Sequence, residues 1–206
     1  MTGPDGRPRC WWALSTPEYV TYHDEEWGRP ALTDERLFER LCLEAFQSGL
    51  SWLTILRKRE AFRAAFAGFR PAAVARFGPD DVERLLRDRG IVRNRAKIEA
   101  VVHNAGRSLE VIDELGSLAA LCWRFRPVER PAPRRRSDLV SSTPASEALA
   151  RELKRRGFRF LGPTTGHALM QAAGIVNDHV AGCWVRGEVE RAQAAVAERL
   201  SGRRRP

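Results

Sequence analysis

The chain has 206 residues, 43% of them hydrophobic, with 35 Lys or Arg against 26 Asp or Glu and a formal net charge of +9. That apolar content supports one compact domain and excludes wholesale disorder. No run of about 18 apolar residues exists, which excludes a membrane span, and the first nine residues lack the apolar core of a signal peptide, so the chain is expected in the cytoplasm.

Helical periodicity dominates in chain order. Thr33 can cap a helix beginning Asp34-Glu35, whose acidic first turn suits the helix dipole. Leu37, Leu41 and Glu44 recur at i, i+4 and i+7, and Gly49 ends the element. Ser51 caps a helix from Trp52 to about Phe66. Pro71 opens a short helix, and Pro79 opens another that stops at Gly90. Asn94 caps an amphipathic helix through about Leu109, and a further one covers Leu118 to Phe125. Residues 126–143 are rich in Pro and Arg and read as a long loop. Thr143 or Ser146 restarts a helix that ends at Gly157, and Thr164 or Thr165 caps one through Ala173. Asp178 is expected to cap a short helix holding His179 to Cys183. Residues 186–206 read as a helical extension with a basic tail. With no alternating strand pattern, the fold class is all-α.

The positive charge is unevenly spread. Residues 1–123 are neutral, residues 124–159 carry +7 and residues 160–206 carry +2. Arg triplets at 134–136 and 203–205 supply six of the cations. Within the neutral part, residues 84–97 hold six basic side chains and one acidic one. Such basicity suits a polyanion such as nucleic acid, with a solvated Arg-rich surface as the alternative.

Cys42 and Cys122 sit in apolar helical contexts and read as core. Cys10 with His23, and His179 with Cys183, would together make a Cys2His2 zinc complement. The alternative is a lone N-terminal Cys and a core His. His103 reads as a helix-surface residue.

The stretch from Val82 to Ile98 reads as helix, tight Gly90 turn, helix. Free amides at the second helix start, with Arg93, Arg95 and Lys97 around them, would hold a phosphate whatever the base. A generic helical corner with solvated charges is the alternative.

Aromatic residues crowd the N-terminal region, from Trp11 and Trp12 through Tyr19 and Tyr22 to Trp27. Flat, electron-rich faces suit stacking on a base, above all a cationic one, although any one of them could be core filling. Glu44 lies among apolar neighbours, where a carboxylate is costly unless paired. It is therefore either a surface position or a functional one.

These segments coincide with those of a known family. Arg9-Cys10 with Trp12, Tyr22-His23-Asp24-Glu25-Glu26-Trp27-Gly28, Leu43 to Trp52, Gly90 to Ile98, Arg155 to Thr165, Met170-Gln171-Ala172 and Val176 to Val180 with Cys183 stand in family order across residues 9–183. In these the chain resembles the 3-methyladenine DNA glycosylase I family of base-excision repair. The resemblance implies a helix-hairpin-helix glycosylase fold in a single domain over 9–185. Its hairpin would lie at about 82–105, with end segments 9–28 and 176–185 joined by one structural zinc. It implies Cys10, His23, His179 and Cys183 as the zinc ligands. It implies Glu44, Tyr22 and Trp52 in the pocket for the methylated base, with Trp12, Tyr19 and Trp27 completing the wall. Family members usually carry an aromatic residue where this chain has His167, which leaves the pocket edge or DNA-facing surface there unassigned.

The implied reaction is hydrolysis of the N-glycosidic bond of 3-methyladenine flipped out of duplex DNA. The N3-methylated base is cationic and a good leaving group, so no strong general acid is needed. Glu44 would favour the cation over neutral adenine. The expected partner is double-stranded DNA carrying alkylated adenine, bound by a monomer acting at the bacterial nucleoid. Two other readings stay open: a non-catalytic sensor of alkylated DNA on the same scaffold, and a zinc-stapled helical DNA-binding module.

Overall fold

The computed structural model describes every residue except Glu129 and 203–206, so the Arg203 to Arg205 triplet lies outside the described residues. The described residues form ten α-helices, with short 3-10 turns between some of them: α1 (Pro17–Glu25), α2 (Asp34–Gln47), α3 (Trp52–Ala65), α4 (Pro71–Val74), α5 (Pro79–Arg87), α6 (Arg95–Leu115), α7 (Leu118–Cys122), α8 (Pro144–Arg155), α9 (Pro163–Ala172) and α10 (Arg186–Gly202). Among the described residues there is no strand, only one isolated bridge between Thr2 and Pro8.

The helices begin where side chains can take up their free amides. Thr33 accepts from Arg36 N–H, Ser51 from Thr54 N–H, Asn94 from Lys97 N–H and Thr143 from Ser146 N–H. Helix α6 runs past the expected Leu109 to Leu115 and ends on Gly116 in the left-handed conformation. Helix α9 begins at Pro163 with Gly162 before it, so neither Thr164 nor Thr165 is its cap.

Helix α2 is the hub. Residues 37–46 are all buried but Glu39, so almost no face of this stretch meets solvent. It packs against α3, α6 and α9. Phe46 meets Phe62 with ring centroids 4.6 Å apart, and Phe62, Phe66 and Phe69 continue the aromatic core. Burying each ring gives on the order of 2–3 kcal/mol, which anchors α2 and fixes where Glu44 points.

The segment from Gly174 to Val185 is not helical, contrary to the expectation that Asp178 caps a helix carrying His179 and Cys183. Local side-chain bonds take the backbone instead. Asn177 Oδ1 accepts from His179 N–H, Asn177 Nδ2 donates to the Arg186 carbonyl, and Gly182 turns the chain in the left-handed region.

The C-terminal helix α10 is no loose extension. Val189 is fully buried, and Gln193 donates to the Gly28 carbonyl at 3.3 Å. Arg29 pairs with Glu188 at 3.1 Å, tying α10 to the N-terminal segment.

Candidate functional site: an aromatic pocket backed by a Cys and His cluster

Helix α1 sets two adjacent side chains in two places. Tyr22 is buried and lines a cavity, while His23 is fully buried in the Cys and His cluster. The cavity has a volume of about 500 Å³. Every pocket residue expected from the sequence lines it: Trp12, Tyr19, Tyr22, Trp27, Trp52 and Glu44. Trp12 is the hinge of the aromatic wall. Its ring centroid lies 5.6 Å from Tyr19 and 5.0 Å from Trp27, both edge-on, and Tyr22 lies 5.3 Å from Trp52. A slot of this kind accepts a flat ring between faces and edges.

Glu44 is 5% exposed, so the surface alternative is excluded. Burial raises its carboxyl to about 8, with Arg40 nearby opposing the rise only in part. No hydrogen bond from the described residues holds the carboxylate. The Trp52 indole N–H likewise lacks a partner among the described residues. The Trp52 nitrogen is sealed from the cavity, whereas Glu44 carries unused hydrogen-bonding capacity at the wall, which is costly when left unmet and useful to a polar ring.

The structure adds lining residues to which the sequence reading gave no role. Gln47 lies one turn beyond Glu44 on α2, and Ala168 and Gln171 come from α9. The Pro- and Arg-rich loop contributes Arg136 and Leu139. That loop is pinned from both sides: Ala181 N–H donates to the Pro133 carbonyl at 2.8 Å, and Asp138 accepts the Arg134 and Arg135 amides at 2.8 and 2.9 Å.

His167 does not reach the pocket or the surface. It is 2% exposed, and its Nε2 stands 3.3 Å from Asp178 Oδ2, poorly aligned for a hydrogen bond. Asp178 also receives Arg130 Nη2 and Gln171 Nε2, each at 2.7 Å. Burial alone would raise its carboxyl, but His167 and Arg130 beside it hold it well below the usual range.

Cys10, His23, His179 and Cys183 are all buried, and their ligand atoms lie within 4.8 Å of one another. Their separations fit a metal. Bonds of about 2.3 Å to sulfur and about 2.05 Å to nitrogen in a tetrahedron set S···N near ~3.5 Å and N···N near ~3.3 Å. His23 Nε2 and His179 Nδ1 stand 3.2 Å apart, and the S···N separations are 3.4, 3.5 and 3.7 Å. The outer nitrogens are spoken for: His179 Nε2–H donates to the Trp27 carbonyl at 3.0 Å, and His23 Nδ1–H donates to Asp24 Oδ1 at 2.7 Å. Those acceptors leave the inner nitrogens with lone pairs facing the cluster. Val180 N–H donates to Cys10 Sγ at 3.4 Å. Asp24 is itself held by buried Arg9, at 3.0 Å from Nε and 2.7 Å from Nη2. Gly28 is required beside this cluster, because its φ is +80° and a Cβ there would stand 3.1 Å from His179 Nε2.

The hairpin between α5 and α6 spans 88–94. Gly90 is not in the left-handed region expected for it. It is Gly because of close approach: a Cβ would meet the Ala61 Cβ at 2.8 Å and Asp88 Oδ1 at 2.9 Å. Lys58 donates to the Arg89 and Gly90 carbonyls at 2.9 and 3.2 Å, locking the turn onto α3. Arg93 is exposed, while Arg95 is exposed but paired with Glu83 at 2.6 Å. Lys97 departs from the expected phosphate-facing position. It is 8% exposed and donates to the Phe46 carbonyl at 2.9 Å and to that of Ser48, capping the end of α2.

Comparison with known proteins places these features in context. The sequence matches the profile of the methyladenine glycosylase family over residues 12–186. It is 46% identical over 178 residues to the DNA-3-methyladenine glycosylase 1 of Escherichia coli (strain K12), covering 85% of this chain and 95% of that protein. It is 40% identical to the DNA-3-methyladenine glycosylase of Haemophilus influenzae, over 85% of this chain and 96% of that one. The fold is similar to the 3-methyladenine DNA glycosylase I of Staphylococcus aureus, solved for the structural basis of its 3-methyladenine recognition. That likeness has a TM-score of 0.82 at 35% identity and covers 86% of this chain and 96% of that one.

Proposed function

The chain belongs to the methyladenine glycosylase family, and on that premise we propose how its pocket performs the hydrolysis of the N-glycosidic bond of 3-methyladenine in alkylated DNA. The observation that carries the reading is Glu44: a buried carboxylate with no hydrogen bond from the described residues, facing an aromatic cavity of about 500 Å³. Such a group is poorly solvated alone and well matched to a flat cation.

Methylation at N3 gives the base of the lesion nucleotide a positive charge. As the glycosidic bond breaks, its electron pair moves onto the base and cancels that charge. Water adds to the sugar C1′ and loses a proton. Glu44 holds the cationic base and favours it over neutral adenine, and Tyr22, Trp12 and Trp52 enclose its ring. The base must leave the duplex stack to reach them. Exposed Arg93 at the hairpin and Arg136 at the pocket rim are placed to meet the flanking phosphates. We read the acting species as a monomer on duplex DNA. Among the described residues no helix is long and apolar enough to cross a membrane.

Cys10, His23, His179 and Cys183 would hold one zinc, whose contribution is structural: four protein ligands leave no position for substrate. The cluster stands behind the pocket wall, with His23 edge-on to Trp12 at 5.3 Å and the Trp27 carbonyl orienting His179.

Titration with free 3-methyladenine tests the pocket. Binding should quench the fluorescence of Trp12 and Trp52, and Glu44→Gln should weaken it. No quenching by 3-methyladenine in the wild-type protein would remove the assignment.

A further inference from the structure

Gln171 lies on α9 and lines the same cavity as Glu44 of α2. Side-chain amides present an acceptor on one arm and donors on the other, and which arm faces a ligand depends on what holds the amide. Here the hold is one-sided. Gln171 Nε2 donates to Asp178 Oδ2 at 2.7 Å, and Asp178 in turn accepts the Arg130 guanidinium. A carboxylate forked by an arginine only accepts, so the Gln171 amide nitrogen must turn toward it. The Gln171 Oε1 is left without a partner among the described residues and is not sealed from solvent.

We infer that Gln171, its amide fixed by Asp178, is a specificity-determining residue that presents a hydrogen-bond acceptor to the flipped base and selects for an exocyclic amino group. The inference rests on the base-pocket reading above. An adenine-type base carries an amino donor at C6, whereas a 6-oxo purine carries an acceptor oxygen there. Two acceptors facing one another leave both unpaired and desolvated, which disfavours the oxo base. A cationic ring makes the amino group a stronger donor, so the same acceptor also favours the methylated lesion. The fixed amide explains why a buried Asp178, with Arg130 and His167 beside it, stands behind a residue of the pocket wall. Asp178 and Arg130 act as positioning residues, since they reach the base only through Gln171.

The test compares two free bases of one shape, 3-methyladenine and 3-methylhypoxanthine, which differ at C6 and in the ring N–H that the oxo base carries, by tryptophan quenching of the full chain. The wild-type protein should bind 3-methyladenine the more tightly. In Gln171→Leu that preference should shrink by roughly tenfold, through weaker binding of 3-methyladenine and relief of the acceptor clash with the oxo base. Gln171→Met, closer in shape, should behave the same way. An unchanged preference in either folded variant overturns the inference, as does an equal loss for both bases. If neither variant melts cooperatively, the amide is structural and the inference falls. Failure of the wild-type protein to bind 3-methyladenine at all would instead remove the pocket reading.

Discussion

The Lys97 ammonium donates to the Phe46 carbonyl at 2.9 Å, two residues beyond Glu44 and 51 residues away in the chain. The first turn of α6, which follows the hairpin, is thereby tied to the end of the helix that carries the buried carboxylate. Removing the ammonium leaves buried carbonyls unpaired. Lys97→Met should therefore lower stability by about 1–3 kcal/mol in denaturant unfolding. It should leave the salt dependence of DNA binding unchanged. Arg93→Gln should do the reverse, reducing the slope of log K against log salt by about one at little cost in stability. A reduced slope for Lys97→Met would restore it as a phosphate contact.

Glu44 sets a trade between stability and function. Its ordinary carboxyl value is 4.5 and its buried one about 8. Between these values the folded protein holds a proton that the unfolded chain has lost, so its contribution to stability is complete below pH ~4.5 and is lost as pH rises through about 8. Glu44→Gln removes that loss. Its melting temperature should match that of the wild type near pH ~4.5 and exceed it near pH ~8, where the stability difference reaches roughly 4 kcal/mol. Equal melting curves at both values would mean that the carboxylate is better solvated than its burial implies.

The same group shapes the pH profile of the reaction. Pairing with a cationic base requires the ionised carboxylate. Below about 8 the free protein must release a proton to form that pair. The ratio kcat/KM for 3-methyladenine in duplex DNA should therefore rise from pH ~6 and level off above about 8. A profile that falls over that range would assign Glu44 the role of proton donor instead.

The Cys and His cluster yields a metal prediction. Purified without chelator, the protein should carry one zinc per chain, and Cys183→Ser should lose it with a fall in Tm. Asp24→Asn should weaken zinc binding by about 10–100-fold while leaving all four ligands in place, because Asp24 sets the tautomer and angle of His23. Equal zinc retention in Asp24→Asn would show that the ring is held by packing against Trp12 alone.

The fold was legible where local chemistry decides it. Thr33, Ser51 and Asn94 announce helix starts by side chains that take up free amides, and all three do so in the structure, while of the two candidates Thr143 and Ser146 it is Thr143 that caps α8. The segment around His179 was misread as helix because i, i+4 spacing fits one. Asn177 and Gly182 redirect that backbone through contacts that spacing does not reveal. Lys97 was misread for a related reason. It sits in a basic run, and only the approach of α2 turns it inward. The pocket residues Glu44, Tyr22, Trp52, Trp12, Tyr19 and Trp27 were named from family resemblance and do line one cavity. Gln171 and Arg136 were missed because their roles depend on Asp178 and on a pinned loop, neither of which has a local signature.

The central claim is that the buried carboxylate and its aromatic wall excise a cationic methylated base. Incubating catalytic amounts of the protein with N-methylated duplex DNA and identifying the released bases tests it most directly. The account predicts free 3-methyladenine in many-fold excess over protein, an equal yield of abasic sites, and a loss of roughly 100-fold or more in Glu44→Gln. Tight binding of the methylated DNA with no base released, or wild-type release by Glu44→Gln, would contradict it.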